Sequence, residues 1–197
     1  ASNKSKFSPL GITIKKRTSI NKIRLLKKNN FEIQDEGSQI VTILSGASKG
    51  MRVLDYCAGK GTKTLAIHNQ LEGEGELFVY DKDQYRINFL EKRFDLLNIK
   101  NRIRLLDNTK KFRSYFDLIL LDVPCTGSGI WRRRPEAMIK LTEDVLNKNK
   151  QVQENLLIET SKFCKKNGII SYITCSIFED ENESQIKNFV DNNKAFK

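Results

Sequence analysis

Two cysteines sit where an enzyme could use them. Asp122-Val123-Pro124-Cys125 follows the apolar run 116–121, and a second apolar run, 168–174, delivers Thr174-Cys175-Ser176. A thiol becomes a nucleophile when it ionises, which polar strand ends and basic neighbours such as Lys63 favour. One use for such a thiolate is addition to carbon 6 of a pyrimidine, which pushes electron density onto carbon 5, otherwise a poor nucleophile. An acid beside it, here Asp122, can hydrogen-bond to or protonate the ring nitrogen and stabilise the charge that develops. A third stretch, Asp55 to Thr64, carries Cys57-Ala58-Gly59-Lys60-Gly61-Thr62-Lys63 between an apolar run and a helical pattern. Gly59 and Gly61 permit a tight turn and close backbone approach, and the free N–H groups of a helix N-terminus favour electron-rich ligands. Asp81, twenty residues after Gly61, stands where an acid commonly takes ribose hydroxyls. Asp107 ends a further apolar run, and Arg86, one turn into the helix after Asp81, reads as a solvated cation ahead of a contact to the cofactor. The third glycine of the dinucleotide fingerprint is replaced by Thr64, so this half of the site fits either a nicotinamide oxidoreductase or an S-adenosylmethionine-dependent methyltransferase. Hydride transfer has no use for two thiols, which favours the methyltransferase.

These residues need elements to hold them. Strand-like runs at 51–57, 76–80, 102–106, 116–121 and 168–174 alternate with helical patterns at 61–70, 83–98, 143–165 and 179–191. In the second of these helices Ile87, Leu90, Phe94 and Leu97 share one face. Such a β-α-β series predicts an α/β fold with an open, mostly parallel, doubly wound sheet. Ligands of such sheets bind outside the carboxyl ends of the strands, where the acids and thiols fall. The runs before Cys125 and Cys175 are expected to pair, opening both thiols onto one crevice. Residues 31–34 suggest a short strand and Ser38 the start of a helix; Cys164 reads as core on the apolar face of the 143–165 helix, and Cys57 as a small buried residue whose backbone lines the site. No strand candidate follows the last helix, so a sheet edge is expected to be missing or supplied from outside this chain.

The 197 residues suffice for one full domain with a small appendage. No apolar run approaches the roughly 20 residues of a membrane span, and a soluble, cytoplasmic protein is expected. The four cysteines form no C-x-x-C pair and His68 is the single histidine, so no metal site is signalled. Of 35 Lys and Arg, nine lie in residues 1–31 and none of the 24 acids does, so the excess charge of +11 is concentrated in an N-terminal arm. Such a block suits a polyanion. The arm, residues 1–30, has alternating Leu10, Ile12 and Ile14 and a basic amphipathic piece around 20–28; residues 31–197 form the catalytic domain.

Together, Asp55 to Thr64, Asp122-Val-Pro-Cys125, Arg133-Arg134-Pro135, and Thr174-Cys175-Ser176 followed by Glu179-Asp-Glu-Asn resemble the Sun (nucleolar-protein) family of RNA cytosine-5 methyltransferases. The likeness is strongest to bacterial members that act on small-subunit ribosomal RNA, and Gln34-Asp35-Glu36-Gly37-Ser38-Gln39 resembles the segment preceding their catalytic domain. The resemblance implies an S-adenosylmethionine-binding, Rossmann-like sheet. It implies that Cys175 is the nucleophile, that Cys125 assists release of the product, that Asp122 contacts the cytosine ring or the methyl donor, and that Lys63 lies near the base. Residues 57–63 with Asp81, Asp107 and Asp122 would hold S-adenosylmethionine. The family loop usually reads Ala-Pro-Gly-Gly-Lys, from which Gly59-Lys60-Gly61-Thr62-Lys63 departs. Trp131-Arg132-Arg133-Arg134 could stack on a base and steer an RNA backbone, or the indole could only cap the sheet edge. The expected activity is methylation of carbon 5 of cytosine in RNA, ribosomal RNA first. The alternatives are a DNA cytosine methyltransferase, in which the Pro-Cys thiol attacks, and a catalytically silent RNA-binding module.

Overall fold

In the computed structural model, which describes residues 2–14 and 31–197, the apolar runs become parallel strands linked by helices. The chain divides into two units, Ala1–Asp107 and Asn108–Lys197.

In the first unit, β1 (Ser2–Lys4) and β2 (Ile12–Ile14) form an antiparallel hairpin that precedes α1 (Glu36–Leu44). The hairpin is fastened to that helix. Ser5 and the Phe7 backbone N–H donate to the Glu36 carboxylate, and the Ser8 hydroxyl donates to Gln39 Oε1 at 2.7 Å. The Ser5 hydrogen bond, first among several, holds the Glu36 carboxyl below its usual range. The amphipathic piece expected at 20–28 lies outside the described residues. Residues 31–34 form no strand, contrary to expectation; the next element is α1, which starts at Glu36 because Asp35 caps it by accepting from Gly37 N–H.

Strands β3 (Arg52–Asp55), β4 (Glu76–Val79) and β5 (Ile103–Leu105) then pair in parallel, in the order β5-β4-β3. Val53, Leu54, Leu77, Phe78 and Val79 are buried, as expected of strands covered on both faces. Helix α2 (Thr62–Gln70) leaves the end of β3, and α3 (Gln84–Leu96) leaves β4 under an Asp83 cap that accepts from Tyr85 N–H at 2.9 Å. The spacing read for α3 holds: Ile87, Leu90 and Phe94 are buried on one face.

In the second unit, β6 (Phe116–Asp122) and β7 (Cys164–Ile173) pair in parallel, so the two thiol-bearing runs are neighbours as expected. Leu118, Ile119, Leu120 and Leu121 are fully buried, each such side chain contributing roughly 1.5–3 kcal/mol. Between them come α4 (Pro135–Ile139), which periodicity did not reveal, and α5 (Glu143–Ser161), capped by Thr142. A five-residue helix opened by Pro135 is too short to show a period. Helix α5 stops earlier than expected, and Cys164 is not on its apolar face: it is the first residue of β7, opposite Phe116. The ladder then shifts register, so that Leu118 meets Ile169; the left-handed Asn167 (φ 63°) and Gly168 turn the chain there. A Cβ on Gly168 would lie 2.8 Å from Cys164 Sγ. The last helical pattern splits into a 3₁₀ turn, Glu179–Glu181, and α6 (Glu183–Asn192). No helix among the described residues is long and apolar enough to cross a membrane.

Gly61 is a tight backbone position. It caps α2 in the left-handed region (φ 76°), and a Cβ there would lie 2.5 Å from Leu90 Cδ2 in the core. Gly61→Ala is therefore expected to destabilise the protein by at least about 1–2 kcal/mol from the backbone alone, with the Leu90 clash adding to it. A urea unfolding midpoint indistinguishable from the parent's would contradict this.

Candidate functional site

At the end of β3 the chain turns through Cys57-Ala58-Gly59-Lys60-Gly61 into α2, with Gly59 (φ 57°) and Gly61 both left-handed. The turn is closed by Gly61 N–H donating to the Ala58 carbonyl at 2.8 Å, and Ala58 N–H donates to the Tyr80 carbonyl at 3.2 Å. Space above Gly59 is open, since a Cβ there would meet nothing within 4 Å. Cys57 is half-buried rather than buried, Lys60 is exposed, and Thr62 and Lys63 form the first turn of α2, half-buried.

Asp81 braces this loop. Its side chain is buried; Oδ2 accepts from Gly59 N–H at 2.9 Å and Oδ1 from Asp83 N–H at 2.9 Å. Arg86, read as solvated, instead pairs with Asp81 at 3.3 Å and Asp83 at 3.5 Å while remaining half-exposed. Below the loop, buried Asp55 accepts from the Thr64 hydroxyl at 2.6 Å, which ties β3 to α2. Arg93, not singled out from sequence, donates to the Lys60 carbonyl and pairs with Glu32. Asp107 is exposed just past β5. An open left-handed glycine turn, a helix N-terminus and a carboxylate at the end of β4 fit an adenosyl cofactor with a carboxylate of its own.

The thiols lie in the second unit. Cys125 Sγ and Cys175 Sγ are 3.3 Å apart, and Cys175 N–H also points at Cys125 Sγ at 3.3 Å. Cys175 is exposed and Cys125 half-buried. The hydrogen bond with Cys175, then burial and the charge of Cys175, push the Cys125 thiol far up. Of the two, Cys125 is thus the thiol held back from ionising, and Cys175 is the more exposed. Asp122, half-buried, ends β6 three residues before Cys125.

The loops carrying these sulfurs are knitted together. Gly129 N–H donates to the Cys175 carbonyl at 2.9 Å, an approach that leaves only 2.8 Å for a Cβ. The Ser128 and Ser176 hydroxyls meet at 2.9 Å, and Ile177 N–H donates to Ser128 Oγ at 2.8 Å. Two buried side chains that pattern reading passed over, Gln153 and Glu181, reach the Pro-Cys loop from α5 and from the turn after β7. A polar residue at an apolar-face position of α5 was the one sequence signal for Gln153, and Glu181 stands in the Glu179-Asp-Glu-Asn run that carries part of the family resemblance. Trp131 packs edge-on to Phe178 with ring centroids 5.9 Å apart, whereas Arg132, Arg133 and Arg134 are exposed.

A family model described as 16S rRNA methyltransferase RsmB/F matches residues 41–197. The ribosomal RNA small subunit methyltransferase B of Photorhabdus laumondii is 32% identical over 162 residues, 80% of this chain and 38% of that protein. The chain thus spans about two fifths of the length of the curated relatives it matches. The solved structure of PH0851 superposes with a TM-score of 0.89 at 28% identity, covering 98% of this chain and 44% of that one. NSun6 from Pyrococcus horikoshii, solved with SFG, has a TM-score of 0.79 at 24% identity over 89% of this chain and 46% of that one, and shares the fold. The α/β class expected, an open parallel sheet of the S-adenosylmethionine-dependent methyltransferase type, is the class of these neighbours.

The inequality of the thiols can be measured. Iodoacetamide, applied over a neutral-to-alkaline pH series and followed by peptide mass mapping, is expected to modify Cys175 before Cys125. Removing the chief cause of the upward shift by Cys175→Ala should let Cys125 react at lower pH than it does in the parent. Cys125 reacting first, or at an unchanged pH in the variant, contradicts the assignment.

Proposed function

The chain belongs to the 16S rRNA methyltransferase RsmB/F family, and on that premise we propose that it methylates carbon 5 of a cytosine in ribosomal RNA through a covalent adduct. The observation that carries this reading is the 3.3 Å approach of Cys125 and Cys175 at the carboxyl ends of paired strands, with Asp122 on the same strand end. Residues 57–63 with Asp81 and Asp107 bind S-adenosylmethionine, Asp122 faces the donor or the base, and Lys63 serves the base side. When bound, this cofactor supplies an electrophilic methyl group.

The unequal thiols divide the work. Cys175, ionised first, adds through sulfur to carbon 6 of the cytosine, while Asp122 stabilises charge at the ring nitrogen. Carbon 5, made nucleophilic, takes the methyl group. Cys175 is then a neutral thioether, so the hydrogen bond and charge that held the Cys125 thiol up are gone. Cys125 becomes able to ionise, its proton passing to solvent, and then to accept the proton from carbon 5, after which the carbon 6–sulfur bond breaks and the Cys175 thiolate returns. The cytosine must be unpaired or flipped for two thiols to reach it. Arg132, Arg133, Arg134 and the basic residues 1–30 supply sequence-independent affinity for phosphates, and residues 31–197 carry the chemistry.

Incubation of cysteine variants with small-subunit ribosomal RNA and methyl donor tests the division of roles. Cys175→Ala is expected to abolish both methyl transfer and the denaturation-resistant protein–RNA adduct; Cys125→Ala should keep adduct formation and accumulate it. An adduct on Cys175→Ala would reverse the roles and point to Cys125 as the attacking thiol.

A further inference from the structure

Two consecutive residues, Glu181 and Asn182, hold the two thiol loops, one each. The Glu181 carboxylate is fully buried. Its Oε1 accepts from Thr126 N–H at 2.9 Å and from the Gln153 amide at 3.0 Å, and its Oε2 accepts from the Thr126 hydroxyl. Gln153, itself fully buried, sends the same amide nitrogen to the Pro124 carbonyl at 2.9 Å. Cys125 is thereby gripped at the residue before it and the residue after it. Asn182 does the same for the other thiol. Its Oδ1 accepts from the Thr174 hydroxyl at 2.6 Å, and its Nδ2 donates to the carbonyls of Ser176 at 3.1 Å and Phe178 at 2.8 Å. The Glu181 carbonyl also accepts from the Tyr172 hydroxyl at 2.8 Å, which fixes the pair against the end of β7.

Every donor to the buried carboxylate named here is neutral: a peptide N–H, a hydroxyl and an amide. A buried carboxylate with no cation against it among the described residues is an inefficient way to stabilise a fold, since apolar side chains of similar shape serve stability as well or better. What the arrangement does secure is geometry, because a carboxylate that accepts three hydrogen bonds leaves its partners one position.

We propose that Glu181, acting through Thr126 and Gln153, and Asn182, acting through Thr174 and Ser176, are positioning residues that together set Cys125 Sγ against Cys175 Sγ. The geometric part stands on the free protein; its kinetic consequence rests on the covalent reading above. Glu181 governs where the release thiol sits and Asn182 where the attacking thiol sits, so their loss acts on opposite halves of the reaction. Without Glu181 the adduct forms and is not resolved, whereas without Asn182 it forms slowly.

The closure rate of the Cys125–Cys175 disulfide in the whole chain, without RNA, reads the positioning directly. Diamide serves as oxidant: the two thiols lose two electrons and two protons, and the azo bond is reduced to a hydrazine. Closure should slow about tenfold or more in Glu181→Ala and in Asn182→Ala, since misplacement by about 1 Å can cost a hundredfold in proximity. Glu181→Gln keeps an acceptor oxygen toward Thr126 and Gln153 and should stay within about threefold of the parent, a rescue that a role in packing alone would not depend on. With RNA and methyl donor, Glu181→Ala should accumulate adduct as Cys125→Ala does, and Asn182→Ala should lower the adduct formation rate. Should Glu181→Ala not fold, Gln153→Met, which keeps bulk and loses the Pro124 contact, carries the same expectation. Parent-like closure in the alanine variants overturns the proposal whatever the adduct does. Slowed closure with no adduct on any variant leaves the positioning pair standing and sinks the covalent reading instead.

Discussion

Two sulfur atoms 3.3 Å apart in a partly desolvated loop cannot both carry negative charge. The first ionisation raises the cost of the second, and the thiol held back is the less exposed one: Cys125 is half-buried and Cys175 is exposed. From this the order of events follows. In the proposed reaction the group that attacks is the one that ionises more readily, and the group that takes a proton later is the one whose ionisation its neighbour opposes. Bonding of the first sulfur to carbon removes the block. On that proposed reading, a single contact supplies a nucleophile at the start of a cycle and a base at its end, without any change of fold.

Holding that contact is the task of the surrounding polar network. Strands β6 and β7 pair in parallel and stay in register to Asp122 and Ile173; Val123 N–H then donates to the Ile173 carbonyl at 3.0 Å, so the two loops start side by side. Beyond that point no ladder guides them, and serine hydroxyls, the Glu181 carboxylate, Gln153 and Asn182 replace it. The glycine loop at the end of β3 is built on the same plan. A carboxylate, Asp81, accepts from the peptide N–H of Gly59, while Arg93 takes the Lys60 carbonyl. In both places a charged side chain fixes a turn whose backbone would otherwise be free to move.

Local signals were legible in the sequence and non-local ones were not. The apolar runs before Asp55, Asp122 and Cys175 marked strands, and the three- and four-residue spacing of Ile87, Leu90 and Phe94 marked the buried face of α3, because both depend on neighbours along the chain. The pairing of the two thiol-bearing runs was also foreseeable, from the winding of parallel sheets. Cys164 was misplaced because the helical period of α5 continues smoothly into a segment that Phe116 recruits as a strand. Residues 31–34 have strand-like composition, yet no strand forms there. Asp81 and Arg86 were read as a ligand acid and a free cation; their mutual ion pair, and the hold of Asp81 on Gly59, need the fold to be seen. Glu181 lies in the run 179–191, which reads as helical, and only the approach of Thr126, 55 residues earlier, shows its carboxylate to be buried.

The central claim is that this thiol pair serves methylation at carbon 5 of cytosine. Its most direct test is to incubate the protein with small-subunit ribosomal RNA and S-adenosylmethionine bearing a trideuterated methyl group, digest the RNA to nucleosides and locate the label by mass spectrometry. The account predicts trideuterated 5-methylcytidine. Label on a ribose hydroxyl, on a purine or on the exocyclic nitrogen of cytosine would contradict it, because none of those positions needs a thiolate at carbon 6.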